Sequence, residues 1–241
     1  MILTVANQKG GTAKSTTAAA LAQAAAHRGT KTLAIDLDPQ GNLSYFLAAD
    51  TQKAGAFEML EGQPAEVQHL SGNLDAISAS WNLQTAPRGK GSARRLQTAL
   101  KPIQNNYDLI IIDTPPTAGE MQYNALMASD SLIIPLQADI GGLQGLYQMT
   151  ASARQIQQSN PALKIKGYIL TRYSNRSTLA RQMAQMIQEK AEARQIPFLM
   201  SIREAIAIRE AQTLQRDLYE YAPDSKPAAD YLALFYALMM H

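Results

Sequence analysis

The segment Lys9-Gly10-Gly11-Thr12-Ala13-Lys14-Ser15-Thr16 lies between a short apolar run, Ile2–Ala6 (ILTVA), and an alanine-rich stretch, Lys14–His27. The run suits a buried strand and the stretch strongly favours a helix, so the segment is a strand-to-helix turn. Two adjacent glycines let the backbone bend until successive N–H groups converge on one point. The following helix N-terminus adds unpaired donors and positive dipole. Such a turn is a cradle for phosphate, with Lys14 beside the terminal phosphates and the Ser15 hydroxyl on a divalent cation. The pattern G-x-x-x-x-G-K-[ST] fails, because Gln8 and Ala13 stand at its glycine positions. The variant K-G-G-x-[GA]-K-[ST] matches in full and brings an additional lysine, Lys9. The bland alternative is an ordinary glycine-bearing turn with two chance lysines.

Strand-like and helix-like segments go on alternating. Thr32–Asp36, Leu74–Ser78, Leu109–Asp113, Leu132–Leu136, Ile165–Thr171 and Pro197–Met200 read as strands. Ala93–Gln104, Gln122–Met127, Gly145–Gln158 and Thr178–Arg194 read as helices, and Gly29 stands where a helix C-terminal glycine belongs. Continuous apolar strands alternating with helices predict an α/β fold: a doubly wound, mostly parallel sheet covered on both faces. Arg88–Ser92 (RGKGS) reads as a surface loop. No repeat or linker interrupts the 241 residues, so one domain over 1–241 is expected.

Two acidic motifs fall at strand ends, Asp36-Leu37-Asp38-Pro39-Gln40-Gly41-Asn42 and Leu109–Asp113 followed by Thr114-Pro115-Pro116. Ligands of open parallel sheets bind just beyond the carboxyl ends of the strands, where such carboxylates can hold Mg²⁺ directly or through water. Taken alone, each aspartate has a plainer account as a turn or helix cap, which the three features together disfavour.

Composition removes several classes. The chain has no cysteine, so disulfides, thiolate zinc sites and self-ligated iron–sulfur clusters are excluded, and three scattered histidines lack ligand spacing. No apolar stretch approaches the roughly 20 residues that span a bilayer, and no secretory signal is visible, so a cytoplasmic protein is expected. The net charge of +2 conceals an asymmetry: Arg154–Arg216 holds 11 Lys/Arg against 4 Asp/Glu, which leaves the remainder acidic. A basic segment on an acidic body suggests a polyanionic partner, with solvated helix faces as the plainer account.

With the phosphate loop, DLDPQGN and IIIDTPP in this order, the chain resembles the ParA/MinD family of deviant Walker A ATPases, a branch of the P-loop NTPases. Tyr107–Pro116 (YDLIIIDTPP), Asn124-Ala125-Leu126, Ser129–Leu136 (SDSLIIPL) and Leu143–Leu146 (LQGL) extend the likeness over nearly the whole chain. It is most similar to short ParA proteins without an N-terminal DNA-reading domain. The resemblance implies an ATPase of slow intrinsic turnover, cofactors ATP and Mg²⁺, and a homodimer formed on ATP. It implies that Lys9 reaches the partner copy's phosphates while Lys14 binds those of its own subunit. Gly10, Gly11, Thr12, Ala13, Lys14, Ser15 and Thr16 would hold the nucleotide, with Thr16 near the α-phosphate. Asp38 would position the attacking water, Asp113 would be the Walker-B residue, and Asp36 would support Mg²⁺ or the water. Ala13 replaces a more usual glycine and is expected to be tolerated at negative φ. Thr171–Leu179 (TRYSNRSTL) and Ser201–Gln212 (SIREAIAIREAQ) resemble the family's DNA face and nominate Arg176, Arg203 and Arg209. Arg172 and Tyr173 are candidates for the base of the nucleotide. DNA partitioning follows as the expected function, with non-specific DNA and a ParB-like centromere-binding protein as partners.

Related functions are weighed on residues. A MinD-like membrane protein needs a basic amphipathic C-terminal helix, yet no Lys or Arg follows Lys226, and Pro227–His241 reads as a last helix docked on the core. Tyr219, Tyr221, Tyr231 and Tyr236 raise a tyrosine autokinase, but their spacing suits packed helix faces. A nitrogenase-like reductase needs cysteines. A small-molecule ligase of the same fold would respond to a metabolite rather than DNA.

Overall fold

The computed structural model describes residues 1–86, 89, 92–174 and 176–240. Most of the Arg88–Ser92 loop, and His241, lie outside the described residues. In chain order the elements are β1 (Ile2–Val5), α1 (Lys14–His27), β2 (Thr32–Asp36), α2 (Asn42–Phe46), α3 (Ala56–Leu60), β3 (Gln68–Ser71) and β4 (Leu74–Ile77). They continue with α4 (Arg95–Leu100), β5 (Leu109–Asp113), α5 (Glu120–Ala128), β6 (Ser131–Leu136) and α6 (Ile140–Gln157). The chain closes with β7 (Lys164–Tyr173), α7 (Thr178–Glu192), β8 (Phe198–Arg203), α8 (Ile206–Thr213), α9 (Leu218–Tyr221) and α10 (Lys226–Met239).

The eight strands form one sheet in the order β3-β4-β2-β5-β1-β6-β7-β8. Every neighbouring pair is parallel except β3–β4. This edge strand escapes sequence reading because QHLS has no apolar run; its one signal is the Gly72-Asn73 turn, where Gly72 adopts φ 52. Successive side chains of a strand point to opposite faces. Leu109 and Ile111 therefore join Leu3, Val5, α1 and α10 on one face. Ile110 and Ile112 join Leu33, Ile35 and the helices α3, α4 and α5 on the other. Further along that second face, Leu132, Ile134 and Tyr168 pack under α6 and α7.

Two helices depart from the expected bounds. The segment Ala93–Gln104 is helical only over α4, flanked by 3₁₀ turns. Helix α6 begins at Ile140, five residues before the expected start, because Asp139 caps it by accepting from the Gly142 amide at 2.6 Å. The glycines of this first turn suggest a loop, yet they are there for close packing: a Cβ on Gly142 would overlap the Gln137 carbonyl oxygen.

The last helix docks on the core as expected. Ala228, Tyr231, Leu234, Phe235 and Leu238 form a buried stripe at helical spacing against alanine-rich α1, whose small side chains permit close approach. The buried hydroxyls of Thr17 and Tyr231 are 3.2 Å apart and join the two helices. Tyr219 and Tyr231 are buried, which removes them as accessible acceptors. No helix among the described residues is long and apolar enough to cross a membrane. Replacing the fully buried Leu234 with alanine should lower urea-measured stability by about 2–5 kcal/mol. Met240→Ala, on an exposed side chain, should change it by less than about 0.5 kcal/mol.

Candidate functional site

Register brings the acidic motifs together. Val5 pairs with Asp113 and Asp36 pairs with Asp113, so β1, β5 and β2 end level at the carboxyl edge of the sheet. The phosphate loop leaves β1 at this level, where chain connections run to opposite sides, the usual crevice of open α/β sheets.

The loop is clamped from outside by its carbonyls. Gln137 Nε2 donates to the Gly11 carbonyl at 3.0 Å and Thr171 Oγ1 donates to the Thr12 carbonyl at 3.1 Å. In a planar trans peptide the N–H points opposite to the C=O, so the amides of Thr12 and Ala13 are turned to the inner side. Gly11 has φ 76 and Ala13 has φ 63. The expectation of negative φ at Ala13 is therefore corrected: the residue is left-handed, like the glycine it replaces. Its Cβ is tolerated at a conformational cost of about 1–2 kcal/mol, because an anion cradle needs this backbone bend. Ala13→Gly should recover about 1 kcal/mol of stability in urea unfolding without nucleotide.

Beneath the cradle the structure collects Lys14, Asp36, Asp38 and Asp113, all buried. Lys14 is held below its usual pKa by burial, against the attraction of Asp113 and Asp38. Its ammonium lies 3.4 Å from the Lys9 carbonyl oxygen. Asp36 is fully engaged: Oδ1 accepts from the Asp38 amide at 3.0 Å, and Oδ2 accepts from the Ser44 amide and hydroxyl at 2.8 Å each. Burial nevertheless pushes its pKa up to about 6. Ser44 Oγ accepts in turn from the Ala79 amide at 2.9 Å, which ties the Asp38 loop to the end of β4. Both oxygens of Asp113 are buried without a hydrogen-bond partner. Burial and then the Asp36 carboxylate push its pKa well above the carboxylate range, while nearby Ser15 and Lys14 pull the other way.

Lys9 does not join this cluster. Its ammonium lies 2.9 and 2.8 Å from the two Asp139 carboxylate oxygens at the start of α6. Burial opposes ionisation of Asp139, but Lys9 and the Gly142 and Gly141 amides hold its pKa below the usual value. Asn7, Ser44, Gln137 and Asp139 carry no motif signal, Thr171 carries one only as part of TRYSNRSTL, and the fold alone brings them to the site.

The three nominated arginines converge. Arg176, Arg203 and Arg209 line one open groove of about 750 Å³ with Ser174, Glu204 and Lys226. Arg203 is held by Asp230, at 2.5 Å from Nη2 and 2.9 Å from Nε. Among the described residues Arg176 and Arg209 have no carboxylate partner. Arg172, at φ 50, lines a small crevice beside Ala13 and Thr16, whereas Tyr173 faces the basic groove. An apolar cavity of about 580 Å³ between α3 and α4 contains no residue of the phosphate loop.

Known proteins resemble this chain in sequence and fold. A model of the AAA domain matches residues 1–165. The chromosome-partitioning ATPase Soj of Thermus thermophilus is 32% identical over 96% of this chain and 92% of its own length. The sporulation initiation inhibitor protein Soj of Bacillus subtilis is 33% identical over 97% of this chain and 96% of its own. The chain belongs to the ParA/Soj family of partitioning ATPases. Among solved structures, apo McdA of Cyanothece superposes with a TM-score of 0.86 at 26% identity, covering 98% of both chains. Cobyrinic acid a,c-diamide synthase of Mycobacterium smegmatis, solved with an ATP analogue and magnesium, gives 0.85 at 30% identity over 100% of this chain and 94% of that one.

The orphaned carboxylate gives this ParA-type ATPase a measurable signature. A raised carboxyl pKa means that the folded state binds the proton more tightly than the unfolded chain. The stabilising contribution is then full at low pH and is lost as pH rises through the folded pKa. For Asp113, burial and Asp36 outweigh Lys14, so removing the charge relieves the fold. Asp113→Asn without nucleotide should melt above wild type at pH 8, by at least about 3 °C, the shift that ~1 kcal/mol gives at this chain length. The difference should shrink as pH falls toward 5, read by thermal melts across that range.

Proposed function

We propose that this chain is an ATP-driven DNA-partitioning switch, acting as one domain over residues 1–241. The observation that carries the reading is Asp113, a buried carboxylate without a partner, set beside Lys14 under an anion cradle. Such a group is costly unless a ligand completes it. Mg²⁺ favours octahedral oxygen ligation, keeps several waters and is usually held by one or two side chains plus substrate phosphates. The Ser15 hydroxyl and Asp113 would hold it, Asp113 directly or through water, with Asp36 supporting it by fixing the Asp38 loop. The cation would neutralise charge on the phosphate oxygens.

In this reading Gly10–Thr16 bind the nucleotide, with the amides of Thr12 and Ala13 on the phosphates and Thr16 near the α-phosphate. Lys14 neutralises the β- and γ-phosphates in its own subunit. Asp38 orients the water that attacks the γ-phosphorus; the bond to the bridging oxygen breaks, and ADP and phosphate leave. Lys9 completes the charge balance in a second copy, so turnover is slow until two subunits meet. The crevice lined by Arg172 receives the base. Positioning and charge neutralisation supply most of the catalysis in such reactions.

The groove of Arg176, Arg203 and Arg209 is the DNA contact, made to phosphates and therefore without sequence preference. Arg176 and Arg209 are ready for phosphate, while Arg203 is oriented by Asp230. A contact of this kind carries the protein to bulk DNA in the cytoplasm, the nucleoid. Because it cannot select cargo, a sequence-reading partner of the ParB-like, centromere-binding kind is needed to mark the DNA and stimulate hydrolysis. The docking of α10 on α1 speaks against a lipid-seeking tail.

Size-exclusion of wild type and Lys14→Ala with Mg²⁺ and ATP, with and without DNA, tests the reading. Wild type should become a dimer that binds DNA, and Lys14→Ala should stay monomeric. Log affinity for DNA should fall linearly with log salt, and Arg176→Ala or Arg209→Ala should each reduce the slope by about one. A wild type that remains monomeric and ignores DNA, yet turns over ATP on addition of a metabolite, would point to a ligase instead.

A further inference from the structure

We infer that Asp139 is a latch on Lys9: in the free subunit it holds the lysine that the dimer needs, and so sets the nucleotide threshold for dimerisation. The inference rests on the partition reading, in which Lys9 acts on the partner copy.

Three features around the pair support a built device rather than a chance surface contact. First, the carboxylate grips the ammonium with both oxygens, at 2.9 and 2.8 Å, while Oδ1 also accepts from the Gly142 amide as the cap of α6. The lysine and the start of α6 therefore share one anchor. Second, room has been made for the lysine. A Cβ on Gly141 would fall on its side chain, 2.6 Å from Cε and 2.9 Å from Cδ. Third, the backbone of Lys9 is held from the same direction. Asn7 Oδ1 accepts the Lys9 amide at 3.0 Å, and Asn7 Nδ2 donates to the Pro135 carbonyl at 2.7 Å. Gly145 of α6 packs against Asn7 so closely that a Cβ would lie 2.6 Å from Oδ1. Gln137, on the loop between β6 and α6, clamps the Gly11 carbonyl. The phosphate loop and the start of α6 are thus fitted to each other through Lys9.

The strength of the pair suits a latch. The side chains are 32% and 46% exposed, so water screens the attraction and the pair is weak. A triphosphate offered by a second subunit carries several negative charges and outcompetes a single carboxylate. Once Lys9 leaves, Asp139 still caps α6 but loses its cation. The start of α6, which carries the exposed Ile140, then differs between free and paired subunits. Asp139 is in these terms a positioning residue: it acts through Lys9 and needs no contact with nucleotide.

Asp139→Asn isolates this role, because asparagine is as good a helix cap as aspartate and removes only the charge. Gly141→Ala tests it independently by occupying the space of the lysine stem. Dimer formation is measured by analytical ultracentrifugation over a titration of ATP with Mg²⁺. In parallel, ADP affinity of the monomer is measured by fluorescence, which reads the cradle without Lys9. The expected result is a dimerisation midpoint lowered about two- to fivefold, the factor that a half-exposed ion pair is worth, with ADP affinity unchanged. A midpoint that is unchanged or raised, in whichever variant retains wild-type ADP affinity, overturns the latch while leaving the partition reading intact. A wild type that never dimerises with ATP removes both.

Discussion

A lysine and three carboxylates are buried together at the carboxyl edge of a parallel sheet, and the rest of the molecule is arranged around keeping them there. Isolated, each charge would be expelled or neutralised. Here the three strands that end level at Val5, Asp36 and Asp113 leave them no other place. Asp36 spends its hydrogen-bonding capacity on the Asp38–Ser44 turn, so that turn is rigid. Asp113 spends none: both its oxygens are buried without a hydrogen-bond partner. Two aspartates with similar burial are thus divided into one that fixes a turn and one that stays uncommitted.

The cradle above them illustrates how backbone strain is distributed. Gly11 and Ala13 both have positive φ, and the bend they make is held by hydrogen bonds to carbonyls from Gln137 and Thr171. The clamps come from β7 and from the loop after β6, on the far side of β1. Strand order therefore matters to the chemistry: β6 must neighbour β1, and β7 must neighbour β6, for the loop to be held open. The loop after β6 also delivers Asp139 to Lys9, while the end of β7 joins β8 and α8 in lining the basic groove. The phosphate loop and the basic groove are thus built on strands of one sheet, β1 on one side and β7 and β8 on the other, with β6 between them.

The core makes this placement possible. Alternate residues of β5 serve different layers, Ile111 under α1 and Ile110 and Ile112 under α3, α4 and α5. Helix α1 is alanine-rich and buried on most sides, so α10 can approach until Tyr231 meets Thr17. A tail that looks apolar enough to seek lipid is accounted for by that contact.

Much of this was readable from the chain. Apolar runs and glycine turns announce all seven parallel strands, with close bounds except at β8, which continues to Arg203 beyond the expected end at Met200; local preference suffices where a strand is buried throughout, as β1, β2, β5 and β6 are, and less so at the partly exposed β8. The cradle, Lys14 and the three aspartates follow in the same way, since phosphate chemistry demands those residue types close together in sequence. The polar edge strand β3, the early start of α6 and the left-handed Ala13 did not follow, because each depends on what packs against it. Nor did the roles of Asn7, Gln137, Asp139 and Thr171, which stand up to about 160 residues from the partners they hold. Side-chain identity determines what a residue can bind; only the crossing of distant strands decides which partner it meets, and that decision put Lys9 on Asp139 and left Asp113 unpaired.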